Sequence, residues 1–369
     1  MIVLVIYLFS IFIFGIIVGN IKDERIKKIY LAVVFLFAFF YSAFRASTVG
    51  ADTGEYFQIY NNVNINGLAE LPRNTEIEKG FMFLCFCLSR ITADPQVLII
   101  LMSAVITYAF YFIIRKYSKN YMISSLIFAS MIFMATMNIS RQFFALAFII
   151  FAISFALDKK PLKTILMIAI AVSMHNSALV FLPLILLSFP KIELKPKSTA
   201  IVCIISALAI PAYTTLITFA TSMFPQYSRF LSSTKYSSGT GISVIFMAFL
   251  VVTMLLNIWV GRNENKDNKN NNVYYLFTIL LASYIVTYVI STKMLIANRL
   301  ICYFQISLLI VVPGIVDRVT RLKDNKVLAL ITIAFFCGYF LNYGCNYYNN
   351  NPHSVLPYAI FWDDEGYEH

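Results

Sequence analysis

The chain alternates long apolar runs with short polar connectors along its whole length. The runs fall at about 2–19, 29–44, 95–114, 121–138, 143–157, 199–220, 242–260, 273–292, 300–316 and 327–344. At 1.5 Å per residue, about 20 residues cross a hydrocarbon layer of roughly 30 Å. No water reaches the backbone in that layer, so each crossing has to satisfy its own hydrogen bonds as a helix. The pattern predicts an all-α, polytopic integral membrane bundle of roughly ten to twelve crossings, forming a single transmembrane domain over 1–369. The first run has no positive leader and no small-residue cleavage site, so it reads as a retained span rather than a signal peptide.

Two segments break the pattern. The run 79–92 is short, and polar residues interrupt 164–189 near its middle. Charge settles how both are threaded. Six connectors, 20–28, 115–120, 158–163, 190–198, 261–272 and 317–326, hold 20 of the 29 Lys and Arg residues. The positive-inside rule places all six on the cytoplasmic side. The N-terminus, the loops 45–78 and 221–241 and the tail 346–369 then lie outside. Between the outer loop and Arg115 the number of crossings must be odd, which makes 79–92 a short interfacial or re-entrant helix. Between 158–163 and 190–198 the chain must enter and return. The segment 164–189 is therefore expected to be a broken hairpin with His175 and Asn176 at its apex.

Composition narrows the function classes. Sixty per cent of the residues are hydrophobic and 13% are charged, too few charges to cover a soluble fold of 369 residues. The net charge of +11 sits in the membrane connectors and forms no basic helix, so nucleic acid is not an expected partner. Six cysteines lie mostly inside apolar runs without zinc or disulfide spacing. No metal or cofactor is expected, and no P-loop or GxGxxG marks a nucleotide site.

The remaining nine basic residues all fall on the outer side, where the topology rule disfavours them. Three stand at span ends with polar companions. Arg45 opens a stretch containing Gly50, Asp52, Gly54, Glu55 and Tyr56. Arg141 lies beside Gln142 in a polar break between two runs, and Arg299 starts a span that also carries Tyr303. Each is also readable as an ordinary interface arginine or a simple turn. His175, followed by Asn176, sits at the interrupted segment and suits a general base or a hydrogen-bond donor to an oxyanion. Arginine forks match phosphate oxygens, so this set, with Glu78, points to an anionic substrate at the membrane edge.

These stretches together resemble the EpsG-like, Wzy-type family of exopolysaccharide and O-antigen polymerases. The resemblance is carried by Phe44-Arg45 through Tyr56, by Glu78-Lys79-Gly80-Phe81, by Ser140-Arg141-Gln142, by His175-Asn176-Ser177-Ala178, and by Asn298-Arg299 followed by Tyr303. It implies a membrane glycosyltransferase of the bacterial inner membrane, with its active site facing the periplasm or exterior. Such an enzyme joins undecaprenyl-pyrophosphate-linked oligosaccharides, with lipid pyrophosphate as leaving group. It further implies membrane lipids as surroundings, and chain-length regulator and flippase proteins as pathway partners. Asp52 or His175 would be the base, and Arg45, Arg141 and Arg299 would hold the pyrophosphate. Tyr56, Glu78, Gln142, Asn176 and Tyr303 would bind or orient the substrate.

Two rival readings are a lipid-linked oligosaccharide flippase, which calls for internal repeats, and a membrane O-acyltransferase, which calls for a histidine-centred acyl-transfer motif. The topology is directly testable. In Ile65→Cys an impermeant thiol reagent is expected to label intact cells from outside; labelling only after the inner membrane is permeabilised would reject the scheme.

Overall fold

The computed structural model describes residues 1–73, 77–208, 243–264, 272–292, 298–321 and 326–363, with the isolated positions 210, 215, 219 and 222. The fold is all-α. Eight helices among the described residues are long and apolar enough to cross a membrane, and the chain is a multi-pass integral membrane protein. The expected outer loop 221–241, apart from position 222, and much of the run 199–220 lie outside the described residues.

Contacts divide the chain into two compact units, 1–189 with 333–369, and 190–332. The first contains α1 (Ile2–Gly19), α2 (Glu24–Ala43), α3 (Thr53–Asn66), α4 (Lys79–Ser89), α5 (Gln96–Tyr117), α6 (Tyr121–Asn138), α7 (Ser140–Leu157) and α8 (Pro161–Met174). The second contains α9 (Pro196–Leu208), α10 (Val244–Glu264), α11 (Asn272–Ser291), α12 (Asn298–Gln305) and α13 (Leu308–Arg321). The helix α14 (Lys326–Asn350) belongs to the first unit from Ile333 onward. In the second unit the Asn257 amide donates to Thr278 Oγ1 at 2.9 Å, tying α10 to α11.

In the first unit α6 is the axis. It is 89% buried, against 28% for α1, whose remaining surface is left for lipid. A wide π turn at Phe128–Ile132 interrupts α6, and the Tyr348 hydroxyl donates to the Ala129 carbonyl at 2.5 Å. Gly344 of α14 lies against Ser130 and Leu8, where a Cβ would come within 2.9 Å and 2.7 Å of them.

The α5, α7 and α8 helices run between two chemically different ends. At one end Lys116 meets Asp158 at 2.8 Å and Lys159 Nζ reaches the Leu187 carbonyl at 2.9 Å. The second contact brings together the two ends of the segment that follows α7. Between them, α8 has 14 residues, about 21 Å of helix, short of a hydrocarbon layer of roughly 30 Å. It stops at His175, whose extended backbone leads into a 3-10 turn, Asn176–Phe181, and a short turn, Leu184–Leu187. The 11-residue α4 is likewise too short to cross.

At the opposite end, residues 44–52 join α2 to α3 and pair with the segment that follows α14. Ala46 N–H donates to the Ala359 carbonyl at 3.0 Å, and Phe361 N–H donates to the Phe44 carbonyl at 3.1 Å. Gly50 N–H donates to the Ser354 carbonyl at 2.9 Å. Gly50 has φ +90°, and a Cβ there would meet the Met137 carbonyl oxygen at 2.4 Å.

The left-handed conformation alone costs a non-glycine residue about 1–2 kcal/mol, and the clash adds to it. Gly50→Ala is expected to lower thermal stability in detergent by roughly 2 kcal/mol or more. Gly19→Ala, where nothing lies within 4 Å, should leave the melting temperature unchanged or raise it slightly.

Candidate functional site

Glu78, at the N-terminus of α4, places a carboxylate among side chains from two other segments. Arg141 Nη1 lies 3.2 Å from Oε2, and His175 Nδ1 lies 3.1 Å from Oε1. Asn176 N–H donates to Oε1 at 2.9 Å. The polar breaks explain how these groups arrive. The irregular residue Ile139 separates α6 from α7 and puts Arg141 in the first turn of the new helix. The end of α8 turns the chain at His175 and exposes the Asn176 amide to the carboxylate. Gly80 allows α4 to come this close, because a Cβ there would meet Ser173 Cβ at 2.5 Å and its carbonyl at 2.6 Å.

Burial raises the Glu78 carboxyl, but the His175 hydrogen bond, the Arg141 charge and the Asn176 amide outweigh it. The net effect is a drop from 4.5 to about 2, so Glu78 is a carboxylate at neutral pH. The Arg141 guanidinium also lies over the Phe81 ring, 5.7 Å from its centre, and its side chain is 15% exposed. An arginine carries five donors, and Glu78 and Phe81 leave some of Arg141's for another anion.

Tyr56 extends the cluster. Its hydroxyl donates to the Asn138 carbonyl at 3.3 Å and accepts from Arg141 N–H at 3.4 Å. Burial first, then the Asp52 charge, push this phenol up. Asp52 is half-buried at the start of α3, and its N–H donates to Asn138 Oδ1 at 3.0 Å. Gln142 is buried one residue after Arg141.

Arg45 sits differently from the outward-facing position that its sequence context suggests. It is 1% exposed and donates to the Ser42 carbonyl at 2.6 Å, to Ser140 Oγ at 2.9 Å, and to Thr53 Oγ1 and Ser103 Oγ at 3.4 Å. All four acceptors are neutral oxygens. Burial lowers its pKa to about 10, which still leaves it a cation at neutral pH.

The structure thus brings Glu78, Arg141, His175, Asn176 and Tyr56 together and joins Asp52 to them through Asn138. Arg299 and Tyr303 belong to the second unit, in the first and second turns of α12. Arg299 is partly exposed there and Tyr303 is fully buried. Among the described residues no group of His, Cys, Asp and Glu could hold a metal ion. Two further members of the cluster, Asn138 and His353, are not singled out by the sequence pattern. Asn138 at least shares the polar break of Arg141. Nothing local marks His353, whose ring lies 3.0 Å from the Asn138 amide across 215 residues of chain.

Glu78→Gln leaves Arg141 and His175 facing a neutral amide and is expected to cost about 3 kcal/mol of stability. Removing the exposed Lys27–Glu24 pair should cost under about 1 kcal/mol. Because folding depresses the Glu78 pKa, its stabilisation is full above pH 4.5 and is lost as pH falls toward 2. Melting temperatures of wild type and Glu78→Gln should therefore converge over that window.

Comparison with known proteins gives one result. Neither a curated protein nor a solved structure matches the chain. The model of the EpsG family matches residues 28–360. That span runs from the first turns of α2 to the segment beyond α14 and includes every residue of the Glu78 cluster. The chain belongs to the EpsG family, a membership that points to a polysaccharide polymerase-like function.

Proposed function

We propose that the protein is a glycosyltransferase that joins oligosaccharide repeat units carried on a polyprenyl pyrophosphate, working at the outer face of the bacterial cytoplasmic membrane. The observation that carries this reading is the buried Glu78–Arg141–His175 cluster. It lies at the end of the first unit opposite the Lys116–Asp158 pair, where α8 stops short of a full crossing at His175. Ionisable groups in such a position are costly and are kept where a substrate needs them.

Each residue has a chemical task in this reading. The acceptor sugar hydroxyl attacks the anomeric carbon of the donor. The bond from that carbon to the pyrophosphate oxygen breaks, and its electron pair stays with the pyrophosphate. Arg141, held on one edge by Glu78, turns its remaining donors to the phosphate as negative charge builds there. Arg45 adds a buried positive charge with no carboxylate among its hydrogen-bond acceptors.

His175 takes the acceptor proton on Nε2, because Nδ1 faces the Glu78 carboxylate that orients the ring. This geometry favours His175 over Asp52 as base, and Asp52 is assigned to the loop that lines the acceptor. Arg299 stays a substrate-binding candidate on its sequence pattern alone.

The test is polymerisation of lipid-pyrophosphate-linked repeat units by protein in proteoliposomes. Arg141→Ala is expected to lower the rate on the order of 10²-fold or more, with partial recovery in Arg141→Lys, which lacks the planar fork. His175→Gln should be nearly inactive. Wild-type polymer from well-folded Arg141→Ala and His175→Gln would refute this assignment. Movement of unpolymerised units across the bilayer would identify a flippase instead.

A further inference from the structure

The segment 351–363 follows the last helix of the first unit and folds back over the loop that leads to Asp52. It is tied to that loop and to the end of α2 at several points. Ser354 accepts from Gly50 N–H, Ala359 accepts from Ala46 N–H, and the Tyr358 hydroxyl donates to the Tyr41 carbonyl at 2.8 Å. Inside this frame His353 meets Asn138 with Nδ1 at 3.0 Å and Tyr347 with Nε2 at 2.6 Å. We infer that this segment is a working part of the site, with His353 a positioning residue that holds the Asn138 amide and, through it, the Asp52 loop and the Arg141 turn. The inference rests on the polymerase reading only for its effect on rate.

The hydrogen bonds fix the direction of every donor in the chain. Asn138 Oδ1 accepts the Asp52 N–H, so its Nδ2 is the group that faces His353. Nδ1 of His353 must then accept, and the ring proton resides on Nε2, which donates to the Tyr347 hydroxyl. This requires a neutral imidazole, and burial lowers its pKa from 6.5 to about 4.

Asn138 is the member that everything else depends on. Its side chain holds the first residue of the α3 cap, and its backbone carbonyl accepts from Tyr56. Three residues later comes Arg141. An amide without His353 could rotate and present Nδ2 to the Asp52 N–H, donor against donor. The acceptor loop and the phosphate-binding arginine would then both lose their reference point.

Two substitutions separate positioning from mere packing. An asparagine at 353 can put an acceptor near the place of Nδ1, whereas a glutamine reaches the place of Nε2. His353→Asn should keep the Asn138 contact and lose the Tyr347 contact, and His353→Gln should do the opposite. The expected result is a fall in kcat of about tenfold in His353→Gln and His353→Ala, the scale of one net hydrogen bond. KM for the lipid-linked unit should stay within about twofold, and kcat should return in His353→Asn.

Independently of activity, hydrogen exchange in the purified protein should show the Asp52 amide exchanging about tenfold faster in His353→Gln than in wild type or His353→Asn. Equal exchange in the two variants would overturn the inference, as would distinct exchange with equal polymerisation rates where wild type is active. If wild type forms no polymer while the exchange pattern holds, the polymerase reading fails and the positioning role of His353 stands.

Discussion

A carboxylate buried in a membrane protein must either take up a proton or be surrounded by donors, and Glu78 is surrounded. The donors come from two places that are far apart in sequence: a helix start at Arg141, and a helix end at His175 together with the first amide after it. Each arrangement would be unfavourable by itself. The arginine would be desolvated, and the helix end would leave backbone groups unpaired. Together they make one neutralised cluster, which requires α4, α7 and α8 to meet at a fixed angle and depth. The close contact of Gly80 with Ser173 is the steric side of the same requirement.

A second charge plays a different part. Arg45 points inward, and its guanidinium draws in the end of α2, the start of α3, the middle of α5 and the start of α7. Its own carbonyl is held by Gln96 at 3.3 Å, and Gln96 also holds Ala43 at 2.7 Å. Arg45 therefore organises the ground on which the Asp52 loop stands, and Arg141 is the arginine left partly exposed. The pair illustrates two uses of one residue type within one unit of the fold. One cation is spent on neutral oxygens to fasten helices, and the other keeps donors in reserve.

Much of the helical framework was readable from apolar runs, because crossing a hydrocarbon layer leaves a signal of 18 or more residues that few other constraints imitate. The run at 121–138 coincides with α6, and the polar interruption at His175 coincides with the end of α8. A π turn inside α6 left no such mark, since it preserves apolar composition while changing the hydrogen-bond register.

The grouping of Glu78, Arg141 and His175 could be suspected from their shared side of the membrane, but topology gives a side and not a distance. Arg45 shows the limit most clearly. An arginine at a helix end looks the same in sequence whether it reaches toward the headgroups or folds back into the bundle. Contacts such as Asn138 with His353 depend on the tail's return path, which local pattern does not encode.

The crossing of that return path has a consequence for how the molecule is made. Asn138 leaves the ribosome 215 residues before His353. At 5–20 residues per second the interval is roughly 10–40 s. Throughout that interval the earlier helices can already be in the bilayer, with the Asn138 amide still waiting for its partner. A chain without this segment leaves the Asn138 amide and the 44–50 loop without these contacts. Synthesis order thus sets assembly order: the contact between Asn138 and His353 can close only after the 215 residues that separate them have been made.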